Sequence, residues 1–298
     1  MATGNMKTIK RRIKSVGSTM QITKAMELVA SSKLRRAKQK SKDARPYFQE
    51  QYRMLTEISE SHLIESDFTQ NRETARCLYI VIAGERGLAG GYNSGIFKAV
   101  VAEQELHKEK TDAPPKIIAI GKKAAEYFEK RNYDMVSKHI GLAENVKSGH
   151  CSEIAKSVIE LFLRDEIDEV KLFYTKFVSS MVQEASIIPL LPLKPSKVDE
   201  IINTSDSPAR VKTPREVNYD PNPEAVFNRI VPSFLMSILQ CAINDSYTSE
   251  QSARRVAMEN ASDNAEEMIE SLSLLYNRAR QEKITNEINE IVGGANAL

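Results

Sequence analysis

The last part of the chain carries the most regular spacing of apolar residues. From residue 258 to residue 279, apolar positions alternate at intervals of three and four. Such a heptad seam predicts a helix that winds left-handedly around a partner, since a 3.5-residue repeat keeps one face on that partner. The pattern changes face near Arg280 and ends at Gly293 and Gly294, where we expect the helix to end. The seam consists of Met258, Ala261, Ala265, Met268, Leu272, Leu275 and Ala279, and Ile284, Ile288 and Ile291 follow it.

A second helical pattern occupies about residues 5–60. Strong helix formers dominate residues 25–42 of this segment. Pro46 is expected to bend or break the helix, because proline lacks the amide donor. The predicted apolar stripe is Ile9, Ile13, Val16 and Met20, resumed after a shift by Ile22, Met26 and Val29.

The two end helices are predicted to pair with each other. A helix that began at Pro223 and continued to Val292 would be about 105 Å long at about 1.5 Å per residue, and it would need a long partner. Residues 1–45 contain thirteen Lys or Arg residues and two acids, whereas residues 259–290 contain eight acids and three basic residues. Because a folded segment separates the helices and their charges are opposite, we expect an antiparallel pair.

Between the end helices the pattern changes to strands alternating with helices. Three buried-strand runs stand out, at residues 77–83, 116–121 and 170–177. This alternation predicts a parallel or mixed sheet with helical crossovers. The polar residues 194–218 are rich in Pro and Ser and are expected to form a loop. The predicted domains are therefore 1–60, 61–218 and 219–298.

Little in the sequence specifies catalysis. The glycine-rich stretch 84–93 follows a strand but is neither G-x-G-x-x-G nor a G-K-[ST] loop, so tight turns are favoured over a nucleotide site. The three cysteines and four histidines have no metal-ligand spacing, and no catalytic triad or carboxylate pair stands out. We predict no catalytic residues, no cofactor and no metal. An α/β enzyme with helical extensions remains an alternative, which a ligand bound at residues 84–93 would support.

Composition and charge narrow the classes of protein to which this chain can belong. With 41% hydrophobic and 28% charged residues, the profile is that of a soluble domain, and no segment is expected to span a membrane. The basic first helix makes a nucleic-acid binder a second alternative, because Lys and Arg release counterions from phosphate. However, residues 1–45 contain no aromatic residue on which bases could stack. A basic surface that faces protein or solvent is favoured.

Both ends of the chain resemble the gamma subunits of rotary F-type ATP synthases. The resemblance is carried by residues 9–34 (IKRRIKSVGSTMQITKAMELVASSKL), 254–264 (RRVAMENASDN), 276–281 (YNRARQ) and 284–295 (ITNEINEIVGGA). In the middle it is carried by residues 87–93, GLAGGYN, where many members have Cys in place of Ala89. It implies an α/β fold: a long antiparallel left-handed coiled coil of the N- and C-terminal helices plus a central Rossmann-like domain.

The resemblance also implies partners and a role. Gamma subunits form a central rotor shaft inside a ring of alternating alpha and beta subunits, hold the epsilon subunit, and rest on the membrane rotor ring of c subunits. ATP chemistry belongs to the ring, so the chain is expected to be non-catalytic. A peripheral position on the cytoplasmic face of a bacterial cell membrane is expected, coupled to proton or sodium flow. The plastid cysteine insert is absent, so no thiol switch is expected.

Individual residues match the family's contact positions. Arg280 and Gln281 match the catch that grips an acidic loop of one catalytic subunit, and Met26 and Lys24 match contacts with similar loops. Tyr219 and Asp220 resemble the foot loop that meets the rotor ring. Residues 291–298 carry no charged side chain, which suits a tip that turns in an apolar collar.

Overall fold

The computed structural model describes residues 2–61, 64–70, 72, 76–108, 113–193 and 218–295. Except for residue 218, the predicted loop 194–218 lies outside the described residues. The helices are α1 (Ala2–Ser61), α2 (Tyr92–Lys108), α3 (Lys122–Glu129), α4 (Ser148–Leu163) and α5 (Pro223–Ala295), with a short 3-10 helix at Ala143–Asn145. The strands are β1 (Cys77–Ile82), β2 (Lys116–Ile120), β3 (Met135–His139), β4 (Glu169–Phe177) and β5 (Gln183–Leu191).

The chain forms two compact units. The terminal unit combines Met1–Ser32 with Arg254–Leu298, and the central unit comprises Lys33–Ala253. The terminal unit therefore contains the outer ends of α1 and α5. The three predicted domains are a division along the chain and remain a prediction.

In the terminal unit the two helices run antiparallel. Thr23 lies level with Ser262, and Gly17, earlier in α1, lies level with Ile269, later in α5. The coiled-coil fold predicted for the two ends is confirmed. The face of α1 turned towards α5 alternates at three and four residues: Met6, Ile9, Ile13, Val16, Met20, Thr23, Glu27 and Ala30.

The predicted seam is wrong at several positions. In α1 the stripe does not shift after Met20, and Ile22 and Val29 are 60% and 56% exposed. In α5, Met268 and Leu275 are 45% and 50% exposed. At three positions the buried face uses the residue one later than predicted. Ser262 takes the place of Ala261, Ile269 that of Met268, and Tyr276 that of Leu275.

The central unit is built on a five-stranded sheet of order β3-β2-β1-β4-β5. The first four strands are mutually parallel, and β5 pairs antiparallel with β4. All residues of β1 are buried because helices cover both faces of the sheet. The three predicted strands are confirmed, whereas β3 and β5 carry polar residues or Pro189 and were not predicted.

The two faces of this sheet are packed differently. On one face α2 and α3 bury Ile96, Val100 and Phe128. The other face packs against α4 and the parts of α1 and α5 in the central unit. There the rings of Phe48 and Phe234 stack with centroids 5.8 Å apart. This aromatic contact joins the two long helices within the central unit.

Neither proline interrupts its helix. Pro46 lies inside α1 and Pro232 inside α5, so a break at Pro46 is wrong, whereas the alternative expectation of a bend there stays a prediction. Both side chains face solvent, where the carbonyl groups that lose an amide partner remain hydratable. Within the described residues, one stretch of α5 has the length and hydropathy of a membrane span, a mean of 1.5 over 18 residues. Half of it is buried inside the protein, the pattern of a core helix.

Candidate functional site

The predicted catch residues lie at two separate levels of the terminal unit. Arg280 and Gln281 are exposed on α5, and Lys24 is exposed on α1 beside half-buried Met26. Because residue 23 lies level with residue 262, Arg280 stands about 27 Å further along the pair at about 1.5 Å per residue. The fold therefore does not bring the four residues into one site. The residues form two groups at different levels, and a different segment of a partner could contact each group.

Ten large apolar side chains of the terminal unit are exposed between and beyond these levels. Soluble proteins seldom expose so many large apolar side chains unless a partner covers them. The exposed fractions are high on both helices of the terminal unit: Ile22 60%, Leu28 63%, Val29 56%, Met268 45%, Leu274 72%, Leu275 50%, Ile284 47%, Ile288 54%, Ile291 71% and Val292 53%. We call these ten residues the exposed apolar set.

The predicted foot residues lie in the central unit, just before α5. Tyr219 is half-buried and Asp220 is exposed. Tyr219 packs at the edge of the core, and burial, followed by the charge of nearby Glu57, raises the pKa of its phenol. Asn222 Oδ1 accepts a 2.8 Å hydrogen bond from the Ala225 amide and caps α5. Asp220 therefore stands exposed on a segment anchored at both sides.

The glycine-rich stretch does not form an open phosphate cradle. Glu85 places its own carboxylate where an anion would bind, accepting hydrogen bonds from the amides of Lys122 (3.2 Å) and Gly141 (2.6 Å). Asn93 Oδ1 accepts another from the Gly84 amide at 2.8 Å. These bonds join the loops after β1, β2 and β3. The tight-turn interpretation fits this geometry, because the Lys122 amide at the start of α3 already has an acidic partner and the Lys123 amide donates to the Gly84 carbonyl.

A group of half-buried charges between α2 and the sheet was missed by sequence reasoning. Lys171 Nζ lies 2.8 Å from Glu103 and 3.0 Å from Glu169. Burial lowers the pKa of Lys171, but its bonds to the two carboxylates outweigh burial and raise it overall. Next to this group, Cys77 Sγ lies 3.5 Å from His107 Nδ1. The two carboxylates compensate the half-buried ammonium, so removing them would leave it without a partner of opposite charge.

Among the described residues, no group of three or more His, Cys, Asp or Glu side chains could hold a metal ion. The three cysteines are free; Cys77 and Cys151 are buried and Cys241 is half-buried. Burial raises the pKa of each thiol to about 12. Thiols with such pKa values are poor nucleophiles near neutral pH.

Comparison with known proteins agrees with this geometry. Residues 5–298 match the ATP synthase family. The chain is 47% identical over 287 residues to the ATP synthase gamma chain of Ruminococcus albus, covering 96% of each chain. It is 40% identical over 306 residues to the sodium-ion-specific ATP synthase gamma chain of Acetobacterium woodii, covering 99% of each.

A solved structure shows the same fold at low sequence identity. In the mitochondrial ATP synthase of Euglena gracilis, one chain matches with a TM-score of 0.67 and 20% identity, over 99% of this chain and 95% of that chain. The fold and the full-length similarity to bacterial relatives agree. The chain belongs to the ATP synthase gamma chain family, the central-rotor subunits of F-type ATP synthases.

Proposed function

We propose that this chain is the central shaft that couples transmembrane ion flow to ATP synthesis or hydrolysis by rotation. The observation that carries the proposal is the exposed apolar set on an antiparallel helix pair. A shaft inside a close-fitting ring needs a surface that slides without making strong, fixed ion pairs. Side chains such as Leu274 and Ile291, 72% and 71% exposed, meet that need and would be poorly tolerated in open solvent.

The chain itself is proposed to be non-catalytic. In the glycine-rich stretch, where a nucleotide site was considered, Glu85 is engaged with backbone amides of its own chain. ATP chemistry would take place in a surrounding ring of alpha and beta subunits. The shaft's part is to make the nucleotide affinities of three equivalent catalytic subunits differ, by touching them unequally.

Arg280 and Gln281 are proposed to form the catch. A guanidinium can hold a carboxylate through two parallel hydrogen bonds, and Arg280 is exposed on the outer surface of α5. Lys24 and Met26 are proposed to contact similar loops at the other level of the terminal unit. Two levels of contact would let one rotational position engage different catalytic subunits at different heights.

The central unit is proposed to bind the rotor ring and the epsilon subunit. Asp220 is exposed beside Tyr219, which is anchored at the edge of the core. A polar segment held firmly to the core can transmit force from the c ring. The complex would be peripheral to the cytoplasmic face of a bacterial cell membrane.

Reconstitution tests the proposal directly. The chain is omitted from, or added to, a mixture of alpha, beta and epsilon subunits, and ATP-driven ion pumping is measured after membrane assembly. Coupled ATPase activity should depend on the chain. Assembly and coupling in its absence would reject the shaft role, and salt-sensitive binding of RNA or DNA by the chain would favour a nucleic-acid binder.

The catch has its own test. Arg280→Ala is compared with Arg278→Ala, since residues two apart point to different sides of a helix and both arginines are exposed. Arg280→Ala should lower the number of ions pumped per ATP while the complex still assembles. Equal effects of the two substitutions, or no effect of either, would count against the catch.

A further inference from the structure

The terminal unit could pack its helices in two rotational settings. Two heptad seams are available along α5. They share four residues and differ at the three positions that lie between the shared ones. One seam uses Ala261, Met268 and Leu275, and the other uses the next residue in each case. The structure uses the second seam, with Met268 and Leu275 outside. The shared residues are Met258, Ala265, Leu272 and Ala279, and the alternates used are Ser262, Ile269 and Tyr276.

The same choice is visible on α1. Thr23 is 9% exposed and Ala30 is 1% exposed. The residues before them, Ile22 and Val29, are 60% and 56% exposed. Around this level the protein buries a hydroxyl and a methyl group and leaves two β-branched aliphatic side chains outside. The hydrophobic effect alone favours the opposite arrangement.

A hydrogen-bonded pair of hydroxyls opposes that preference. Thr23 Oγ1 and Ser262 Oγ lie 2.7 Å apart, and Ser262 is 5% exposed. Each hydroxyl also lies within hydrogen-bond distance of a carbonyl oxygen in its own helix: Met20 at 3.0 Å and Met258 at 2.9 Å. One hydroxyl donates to the other, which donates to its own helix. Neither buried oxygen is left without a partner.

Short side chains can meet in this way only where the helices come close. A Cβ built on Gly17 would lie 3.9 Å from Ile269 Cδ1. Ala30 and Ala265 also lie on the packed faces, 1% and 7% exposed. Small residues at these positions let the two backbones approach. Rotating α5 by about 50°, half the angle between successive residues of a helix, would carry Ser262 away from Thr23 and bring Met268 inward, while the four shared residues stay at the contact.

We propose that Thr23 and Ser262 are a positioning pair that sets the rotation of α1 and α5 about their own axes. By doing so they hold Ile22, Val29, Met268 and Leu275 on the outer surface of the terminal unit. The pair acts through the helices and does not itself touch a partner. The proposed role concerns only the rotation of each helix about its own axis. The register of α1 and α5 along the pair is a separate property, which such a rotation leaves unchanged.

Thiol accessibility in the full-length chain tests the proposal. A single cysteine replaces either Leu275, on the outer face, or Ile269, on the inner face, and its alkylation rate by iodoacetamide is measured. The native thiols, with pKa values raised to about 12 by burial, give a slow background. In the parent, the cysteine at 275 should react faster than the cysteine at 269. With Thr23→Val and Ser262→Ala together, the order should invert.

Three controls make the outcome decisive. Thr19→Val and Ser273→Ala each remove a hydroxyl that bonds only to its own helix, at 3.2 Å and 2.7 Å, and they should leave the order unchanged. The swap of Thr23→Ser with Ser262→Thr keeps both hydroxyls and should behave as the parent. An unchanged order in the Val/Ala variant overturns the proposal. Equal acceleration at both positions also overturns it, because it shows loosening instead of rotation.

The test does not depend on torque transmission. Alkylation rates of the full-length chain report only which face of α5 is covered. If Arg280 proves to have no part in coupling, the positioning role of Thr23 and Ser262 can still hold. If the order does not invert, the shaft function is untouched.

Discussion

The carboxylate of Glu85 lies 2.6 Å from the amide nitrogen of Gly141, although 56 residues separate them along the chain. The same carboxylate also accepts from the Lys122 amide at 3.2 Å. Glu85 therefore joins the loops that follow β1, β2 and β3 at the carboxyl edge of the sheet. Open α/β sheets bind ligands at this edge. Here the Glu85 side chain already accepts hydrogen bonds from the Lys122 and Gly141 amides.

Replacing Glu85 should loosen this edge. We expect Glu85→Ala to lower the free energy of unfolding by about 1–3 kcal/mol, because two hydrogen bonds to a charged acceptor are lost. Urea denaturation of the full-length chain measures the change. Glu129→Ala is the matched control, since Glu129 pairs only with exposed Lys138 at 2.8 Å and should cost less than about 1 kcal/mol. Equal losses would show that Glu85 contributes no more than a surface ion pair.

A charge placed in the exposed apolar set should separate assembly from folding. Ile291 is 71% exposed, so Ile291→Asp should change the free energy of unfolding of the isolated chain by no more than about 0.5 kcal/mol. In the ring, the new carboxylate would be removed from water without a partner and should reduce assembly or coupled ATPase activity. Thermal melting and reconstituted ion pumping measure the two effects. Asn286→Asp, at another exposed position of α5, is the control. Normal pumping by Ile291→Asp would contradict an apolar collar.

Thiol chemistry should leave activity unchanged. Burial raises the pKa values of Cys77, Cys151 and Cys241 to about 12, so almost no thiolate forms at pH 8. Reconstituted ATPase activity should therefore be the same after treatment with an oxidant or a dithiol reductant. A reversible change in activity that disappears when these cysteines are replaced by Ser would show that a thiol switch exists.

Asp245 should make stability depend on pH. Burial raises its pKa, while the Ser41 hydroxyl, 2.7 Å away, and then Arg45 oppose the rise. Because the pKa in the folded state is above the unfolded value, the stabilising contribution is present at low pH and is lost as the pH rises through the folded pKa. Asp245→Asn keeps an acceptor for Ser41 without the charge. Its free energy of unfolding, relative to the parent, should therefore increase as the pH rises from the ordinary Asp pKa of 3.8 through the folded pKa, and titrations at about pH 4 to pH 8 measure the change.

The control for this prediction is Asp220→Asn, because Asp220 is exposed. The difference in free energy of unfolding between Asp220→Asn and the parent should vary little over the same pH range. The difference in free energy of unfolding between Asp245→Asn and the parent is compared in the same way. If it also stays constant with pH, Arg45 and Lys176 compensate the Asp245 carboxylate more fully than its position indicates.

Much of the secondary structure could be predicted from local patterns. Heptad spacing indicated the end helices, and continuous apolar runs indicated β1, β2 and β4. The strand Met135–His139 was missed because it is short and contains Ser137 and Lys138, and Gln183–Leu191 because it contains Glu184 and Pro189. Both become strands by pairing at the edges of a sheet that local pattern cannot place.

Contact residues were harder to predict. Family resemblance indicated Arg280 and Tyr219, but no local pattern shows which partner surface each would meet. Glu85 had no distinguishing signal in sequence, since its partners at Lys122 and Gly141 lie in later loops. Lys171 was missed for the same reason, because Glu103 comes from a different element.

The sequence by itself determined that two long helices form and that their apolar residues repeat every seven positions, because helix periodicity is a local property. Only the tertiary structure decided which of two neighbouring stripes on each helix is buried. The apolar pattern placed Ile22 and Met268 inside, yet Thr23 and Ile269 lie there instead. The physical reason is that burial depends on how closely two backbones approach. Close approach is possible where small residues and a shared hydrogen bond, contributed by residues 239 positions apart, meet across the pair.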